Sequence, residues 1–296
     1  MTTATVTTPA VSRPDYVFPP FVATEEQRKG RAMAKPKYPE RKHLLSQDQL
    51  DFFWANGYLS LPGLFTAEEV KEMSDAADEI YNSKLVNPNN IRYDFATSEK
   101  AKERVLWKID PFHDLHPVFR RTVFDRRILD ALVSIYSGRE PRLFKDKLIY
   151  KPPHSHGNGL HQDYNWWQGY PTSLLSVSVS IDPGTEENGC TVVYPRDPRR
   201  GFVGEPGTLS NEHALAADPS VTPENAVKNI AQPGDVLIFH AFTPHEAGPN
   251  KTDNFRRQMF LSYNDSGDGE FYFSHNEHYR QYYLAARQNP EHYFFF

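Results

Sequence analysis

Leu174-Leu-Ser-Val-Ser-Val-Ser-Ile181 alternates apolar and small polar side chains with a period of two. That period belongs to a β-strand whose faces meet different surroundings: valines on one side, serines on the other. Segments of similar character lie on both sides of it. Upstream, beyond Pro141, Leu143, Lys145 and Lys147 alternate with Phe144 and Leu148 before Ile149 and Tyr150. Downstream come an Asn188-Gly189 turn, Cys190 to Tyr194, a Pro233-Gly-Asp235 turn, Val236 to His240, and Gln258 to Tyr263. Short strands punctuated by turn residues predict an antiparallel β-sandwich or jelly roll.

Helical patterns come earlier in the chain. Ser46 is placed to cap a helix with Leu50, Phe53 and Trp54 on its apolar stripe, and Gly57 ends it. Thr66 and Glu69 form a capping box for a second helix, lined inside by Val70, Met73, Ala77 and Ile80. Trp107 to Ile109 reads as a strand, and a helical pattern returns from His116 to about Gly138. The fold class expected is α+β, mainly β. Residues 1–42 read as an extended arm, with Tyr16, Phe18 and Phe21 available to pack on the domain. A single domain then spans 43–296, with a helical part at 43–140, a jelly-roll core at 141–265 and an aromatic tail at 266–296. Residues 196–226 hold too many Pro, Gly, Asp and Asn for regular structure and read as an insert or lid.

Composition narrows the function. A 296-residue chain with 24% charged residues and a net charge of −5 is enzyme-like and offers no basic footprint for nucleic acid. No apolar run is long enough to span a membrane, and the Thr-rich N-terminus lacks the apolar core of a secretory signal. Cys190 is the single cysteine, so no intrachain disulfide forms, which suits a cytoplasmic location. The expected partner is a small molecule. The 14% aromatic content favours strands and stacked pockets.

Chemistry concentrates in Leu160-His-Gln-Asp-Tyr-Asn-Trp-Trp167. On a strand, His161 and Asp163 project from the same face, and together they supply two thirds of a two-His-one-carboxylate iron(II) site. An H-x-D pair alone is also what two surface polar residues look like. A third ligand is available in His245, within Phe-His-Ala-Phe-Thr-Pro-His-Glu-Ala-Gly and 84 positions downstream. Arg256, eleven residues further on, offers the planar fork that anchors a carboxylate. His240 competes with His245, and His154 and His156 flank a glycine-rich loop. Tyr164, Trp166 and Trp167 follow the motif directly and read either as core or as a substrate wall.

The chain resembles the phytanoyl-CoA dioxygenase family of iron(II)- and 2-oxoglutarate-dependent oxygenases. The matching stretches are F-W-A-N-G-Y-L-S-L-P-G-L-F, R-L-F-K-D-K-L-I-Y-K-P-P, L-H-Q-D-Y-N-W-W, E-N-G-C-T-V-V-Y-P, P-G-D-V-L-I-F-H and F-T-P-H-E-A-G-P-N with F-R-R-Q, running in family order from about residue 46 to 263. The resemblance implies a double-stranded β-helix of jelly-roll or cupin type, with iron(II) on His161, Asp163 and His245. It also implies 2-oxoglutarate as co-substrate, anchored by Arg256 rather than Arg257, and O2 as oxidant. The reaction implied is oxidation of an unactivated C–H bond, with release of succinate and CO2. Lys147 falls where the family has a polar residue reaching the co-substrate, and Lys145 shares its parity. Related halogenating enzymes carry Gly or Ala at the position of Asp163, so the carboxylate implies hydroxylation or a similar oxidation.

Two departures from the family pattern bear on the substrate side: Pro195 is followed by Arg196-Asp197 instead of Gly-Ser-His, and Ala247 stands where a small hydroxyl residue is common. A natural-product intermediate is one substrate such a lid would suit. Two rival readings remain at this point: a cupin-like metal enzyme that does not use 2-oxoglutarate, and a catalytically idle jelly-roll binding protein. Arg256 speaks against the first and the intact triad against the second.

Overall fold

The computed structural model describes residues 44–83, 92–97, 104–204 and 212–279. The expected N-terminal arm and the tail residues Tyr282, Tyr283 and Tyr293 lie outside them. Helix α1 (Gln47–Asn56) starts at Ser46, whose Oγ accepts from the Gln49 N–H while the Gln49 side chain accepts from the Ser46 N–H. It ends at Gly57, at φ 79°, where the N–H donates back to the Phe53 carbonyl. Left-handed backbone is what places glycine there. The chain then enters strand β1 (Tyr58–Leu61) and helix α2 (Ala67–Ser83), with Thr66 and Glu69 bonded reciprocally as a capping box.

Strands β2 (Arg92–Thr97) and β3 (Arg104–Asp110) follow. The helical pattern expected from 116 to 138 is two helices, α3 (Pro117–Val123) and α4 (Arg126–Ile135). The break has a local cause. The Asp125 carboxylate accepts from the Arg127 N–H and so caps a new helix. An aspartate in that role competes with continuation of the preceding turn.

The remaining strands are β4 (Pro141–Ile149), β5 (Asn158–His161), β6 (Leu175–Ser180), β7 (Thr191–Val193), β8 (Val227–Lys228), β9 (Val236–His240), β10 (His245–Ala247) and β11 (Gln258–Asp265). They form two antiparallel sheets, a major one ordered β1-β9-β6-β11-β4-β3-β2 and a minor one ordered β5-β10-β7-β8. This is the jelly-roll architecture expected. Among its described residues, the 196–226 insert carries one short helix, α5 (Glu212–Ala216), and two single 3₁₀ turns.

Register explains the alternation in β6. Val177 and Val179 lie opposite Leu261 and Met259 on β11 and Ile238 and Val236 on β9. This face packs on α2 and α4 through Met73, Ala77, Ile80, Ile128 and Leu132. Each such side chain withdrawn from water contributes about 1.5–3 kcal/mol. The serine face points into the roll. Ser176 shares a row with Ser262 and Lys145, Ser178 with Phe260 and Lys147, and Ser180 with Gln258 and Ile149. Leu237 and Phe239 on the same face meet Val193 of the minor sheet.

Strict alternation in β4 does not hold. Ser262 faces Lys145 while Tyr263 faces Leu143, so Phe144 is an extra, bulged residue. Phe144 therefore packs with Trp167, Tyr170 and Phe271, and Leu143 joins the helix-side core with Leu148. A one-residue bulge reverses the facing of everything beyond it.

Candidate metal centre

His161 ends β5 and pairs directly across the minor sheet with His245 on β10. Cross-strand neighbours share a face, and the two rings lie 4.1 Å apart, centroid to centroid. Strand β5 stops at His161, so Asp163 is not on the strand as the H-x-D spacing alone suggests; it opens a 3₁₀ turn. Gln162 between them is still extended (φ −110°, ψ 135°), which keeps Asp163 on the side of His161. Asp163 Oδ1 lies 3.9 Å from Nε2 of both histidines, and one donor atom from each residue falls within 4.8 Å of the others. Ligand bonds of about 2.1 Å need donors roughly 3 Å apart, so these residues could hold a metal ion after closing by about 1–2 Å.

The surroundings set each ligand's form. His161 Nδ1 donates to the Gly159 carbonyl at 2.6 Å, and His245 Nδ1 donates to the Thr243 carbonyl at 3.0 Å. A carbonyl only accepts, so the Nε2 lone pairs face the site. Burial pushes the His161 pKa down to about 3, helped by His245 beside it, and burial likewise lowers His245. Both imidazoles are therefore neutral ligands. Burial opposes ionisation of Asp163, but the positive charge of Lys147 and the Ser176 hydroxyl help to outweigh it and hold the carboxyl below its ordinary range. Ser176 Oγ donates to Asp163 Oδ2 at 2.5 Å, leaving Oδ1 for the metal. One inward serine of β6, Ser176, thus reaches the site.

Arg256 is 2% exposed, and its Nε and Nη1 find no hydrogen-bond partner among the described residues. Burial lowers its pKa to about 10, still cationic at neutral pH. A buried guanidinium with unmatched donors is costly unless a ligand completes it. Arg257 faces the other way, held by Asp182 at 2.8 Å, Asp78 at 2.7 Å and Ser74. Lys147 and Lys145 do share a face, as their parity requires. Lys145 is 3.2 Å from Asp110 and 4.7 Å from the Tyr279 ring centroid. The charge of Lys147, whose Nζ lies 5.1 Å from the Phe260 centroid, acts on all three triad residues.

Trp166 stands edge-on to His161 at 4.9 Å. Tyr164 contacts Phe242 and Phe202 at 4.9 and 5.9 Å. Trp167 is inside, 4% exposed and packed on Phe144 at 5.3 Å. His240 is buried away from the triad and accepts from the Phe242 N–H at Nδ1; His154 bonds Asp253, and His156 stacks on Trp107. Lys151 is 1% exposed and donates to the Gly189 and Gly248 carbonyls. Sequence reasoning missed Ser176 and Gln162; for Ser176 the β6 alternation was the available signal.

The phytanoyl-CoA dioxygenase (PhyH) family model matches residues 53–258, more than half of the chain. The chain belongs to this family. It is an iron(II)- and 2-oxoglutarate-dependent dioxygenase, and the His-Asp-His donor set and the unmatched guanidinium fit those two cofactors. Among its relatives, 2-aminoethylphosphonate dioxygenase of an uncultured bacterium (HF130_AEPn_1) is 29% identical over 236 residues, covering 76% of this chain and 84% of that one. Methylphosphonate hydroxylase of Gimesia maris is 27% identical over 228 residues, covering 76% and 83%. In fold, the family member resembles EctD from S. alaskensis, crystallised with 2-oxoglutarate and 5-hydroxyectoine: TM-score 0.65, 22% identity, 88% of this chain and 87% of that one covered.

Proposed function

We propose that His161, Asp163 and His245 hold the iron, that Arg256 anchors the distal carboxylate of 2-oxoglutarate with Lys147 reaching the same co-substrate, and that Tyr164 and Trp166 form the substrate wall with Trp167 behind them. The observation that carries this is the pairing of three converging donors with a buried guanidinium whose Nε and Nη1 are unmatched. With O2, the iron and 2-oxoglutarate supply the oxidation of an unactivated C–H bond, with succinate and CO2 released. The protein's part is to bind, orient and exclude water. The Gly159 and Thr243 carbonyls fix the tautomers of the histidines, Ser176 turns one oxygen of Asp163 to the metal, and the apolar surroundings of Phe239 and Val193 keep the floor dry.

The substrate in this reading is a small molecule carrying an oxyanion. Two relatives are named for phosphonates. On the inward face of β4 Asp110 balances the charge of Lys145, while the charge of Lys147 acts across the site and favours anions there. The reading takes residues 43–296 as one catalytic unit. It also places the protein in the cytoplasm, supported by its single cysteine; cell fractionation tests that.

The site is tested by anaerobic titration with iron(II) and 2-oxoglutarate. A visible charge-transfer band is expected in the wild type and absent in His245→Ala. Oxygen-dependent succinate formation is then measured with methylphosphonate and 2-aminoethylphosphonate as probes. A wild type that binds iron yet gives no band with 2-oxoglutarate would sink the assignment of Arg256. Succinate formation that responds to neither phosphonate, but does respond to an uncharged probe, would sink the oxyanion reading.

A further inference from the structure

We propose that Gln162 is a positioning residue that locks the two ligand-bearing segments and the insert into one arrangement, a proposal that rests on the triad being the iron site. Gln162 lies between two ligands but points away from the metal, because consecutive residues on extended backbone face opposite sides. Its side chain is wholly buried, at 0% exposure. Nε2 donates to the Phe242 carbonyl at 2.6 Å and, more loosely, to the Gly201 carbonyl at 3.5 Å, and Oε1 accepts from the Val203 N–H at 2.8 Å. One carboxamide therefore joins three pieces of chain that are far apart in sequence.

Each of those pieces matters to the site. Phe242 precedes Thr243, whose carbonyl holds Nδ1 of His245. The bond to Phe242 thus sets the spacing between the segment bearing His161 and Asp163 and the segment bearing His245. Gly201 and Val203 flank Phe202, whose ring meets Tyr164, and Tyr164 also meets the Phe242 ring. The backbone confirms the closeness, since the Tyr164 N–H donates to the Ala241 carbonyl at 3.1 Å. An aromatic trio one residue beyond Asp163 is in this way fixed from behind by the side chain one residue before it. Displacement of the insert at Phe202 is transmitted through Gln162 to the ligands.

A buried amide could serve stability alone, and the test separates the two roles. Gln162→Met keeps the length and removes every polar bond. Gln162→Glu keeps the acceptor for Val203 and removes the amide donor to Phe242. Asn264→Ala is the control: this equally buried amide bonds the Asp265 and Gly269 carbonyls, away from the iron. Thermal unfolding, anaerobic iron(II) affinity and the charge-transfer band with 2-oxoglutarate are read for each.

The expected result is iron affinity about 10–100-fold weaker in both Gln162 variants, with a shifted band. Asn264→Ala is expected to lower the melting temperature and leave affinity and band as in the wild type. If Gln162→Met does not fold, Gln162→Glu alone decides. Wild-type affinity and band in the folded Gln162 variants, whatever their melting temperature, would overturn the proposal, as would equal loss in the Asn264 control. A wild type that binds no iron at all would instead remove the iron reading beneath it.

Discussion

Ser176→Ala removes the group that holds Asp163, the carboxylate of the proposed iron site, and the structure sets the size of the effect. The serine is 2% exposed and donates to Asp163 Oδ2 at 2.5 Å. Both residues are buried, so bulk solvent does not readily replace the lost bond. A hydrogen bond to a charged acceptor is worth about 1.5–3 kcal/mol. At roughly 1.4 kcal/mol per tenfold, that becomes about 10- to 150-fold in iron affinity, in line with the roughly 10–100-fold cost of losing an outer-shell partner. The same strand provides the control. Ser178, two residues on and also inward-facing, has no hydrogen-bond partner for its hydroxyl among the described residues. Anaerobic iron(II) titration should therefore show weakened binding in Ser176→Ala and unchanged binding in Ser178→Ala, with both proteins folded. Equal affinity in the two variants, at either level, would refute the assignment of Ser176 as the orienting group.

Three further outcomes follow from buried groups. Arg256→Met should raise the melting temperature of the metal-free protein, because a buried cation with unmatched donors is replaced by an apolar side chain, and should abolish the stabilisation given by 2-oxoglutarate; thermal scans with and without co-substrate check both. Lys151 has its pKa lowered by burial and by Arg256 to about 6, so between about pH 6 and 10.5 the unfolded chain binds a proton there that the folded chain does not. Stability should accordingly rise with pH across that window by at most about 1.4 kcal/mol per unit, and Lys151→Met should flatten the slope in urea titrations. Gly189→Ala should destabilise the protein by several kcal/mol, at least ~2, since φ is 70° and a Cβ would strike the Gly248 backbone and Nζ of Lys151; urea unfolding measures it.

Much of this was legible in the sequence where local chemistry decides. The capping residues of α1 and α2, Gly57, and the two-faced β6 all depend on side chains within a few positions of one another. The three residues whose donor atoms converge were legible too, because donor type and order along the chain survive without coordinates. What escaped depends on contacts across the sheets. The bulge at Phe144 exists only relative to β11, so no count of residues along β4 reveals that Leu143 leaves the face of Lys145. The burial of Lys151 comes from Gly189 and Gly248, contributed by two distant loops. Parity tied Lys147 with Lys145, and the ion pair to Asp110 on β3 is what distinguishes them.

The minor sheet has a mechanical consequence. Its strands are only two to four residues long, and β5 and β10 meet at just two registered pairs, His161 with His245 and Asn158 with Ala247. So few ladder bonds hold a sheet weakly, and such regions open locally before the whole domain does. An ion held by His161, His245 and Asp163, as proposed, would act as a rivet through that seam, joining β5, β10 and the turn after β5 at one point. Metal loading would then govern more than chemistry: amide exchange on this side of the roll should slow when iron(II) is bound.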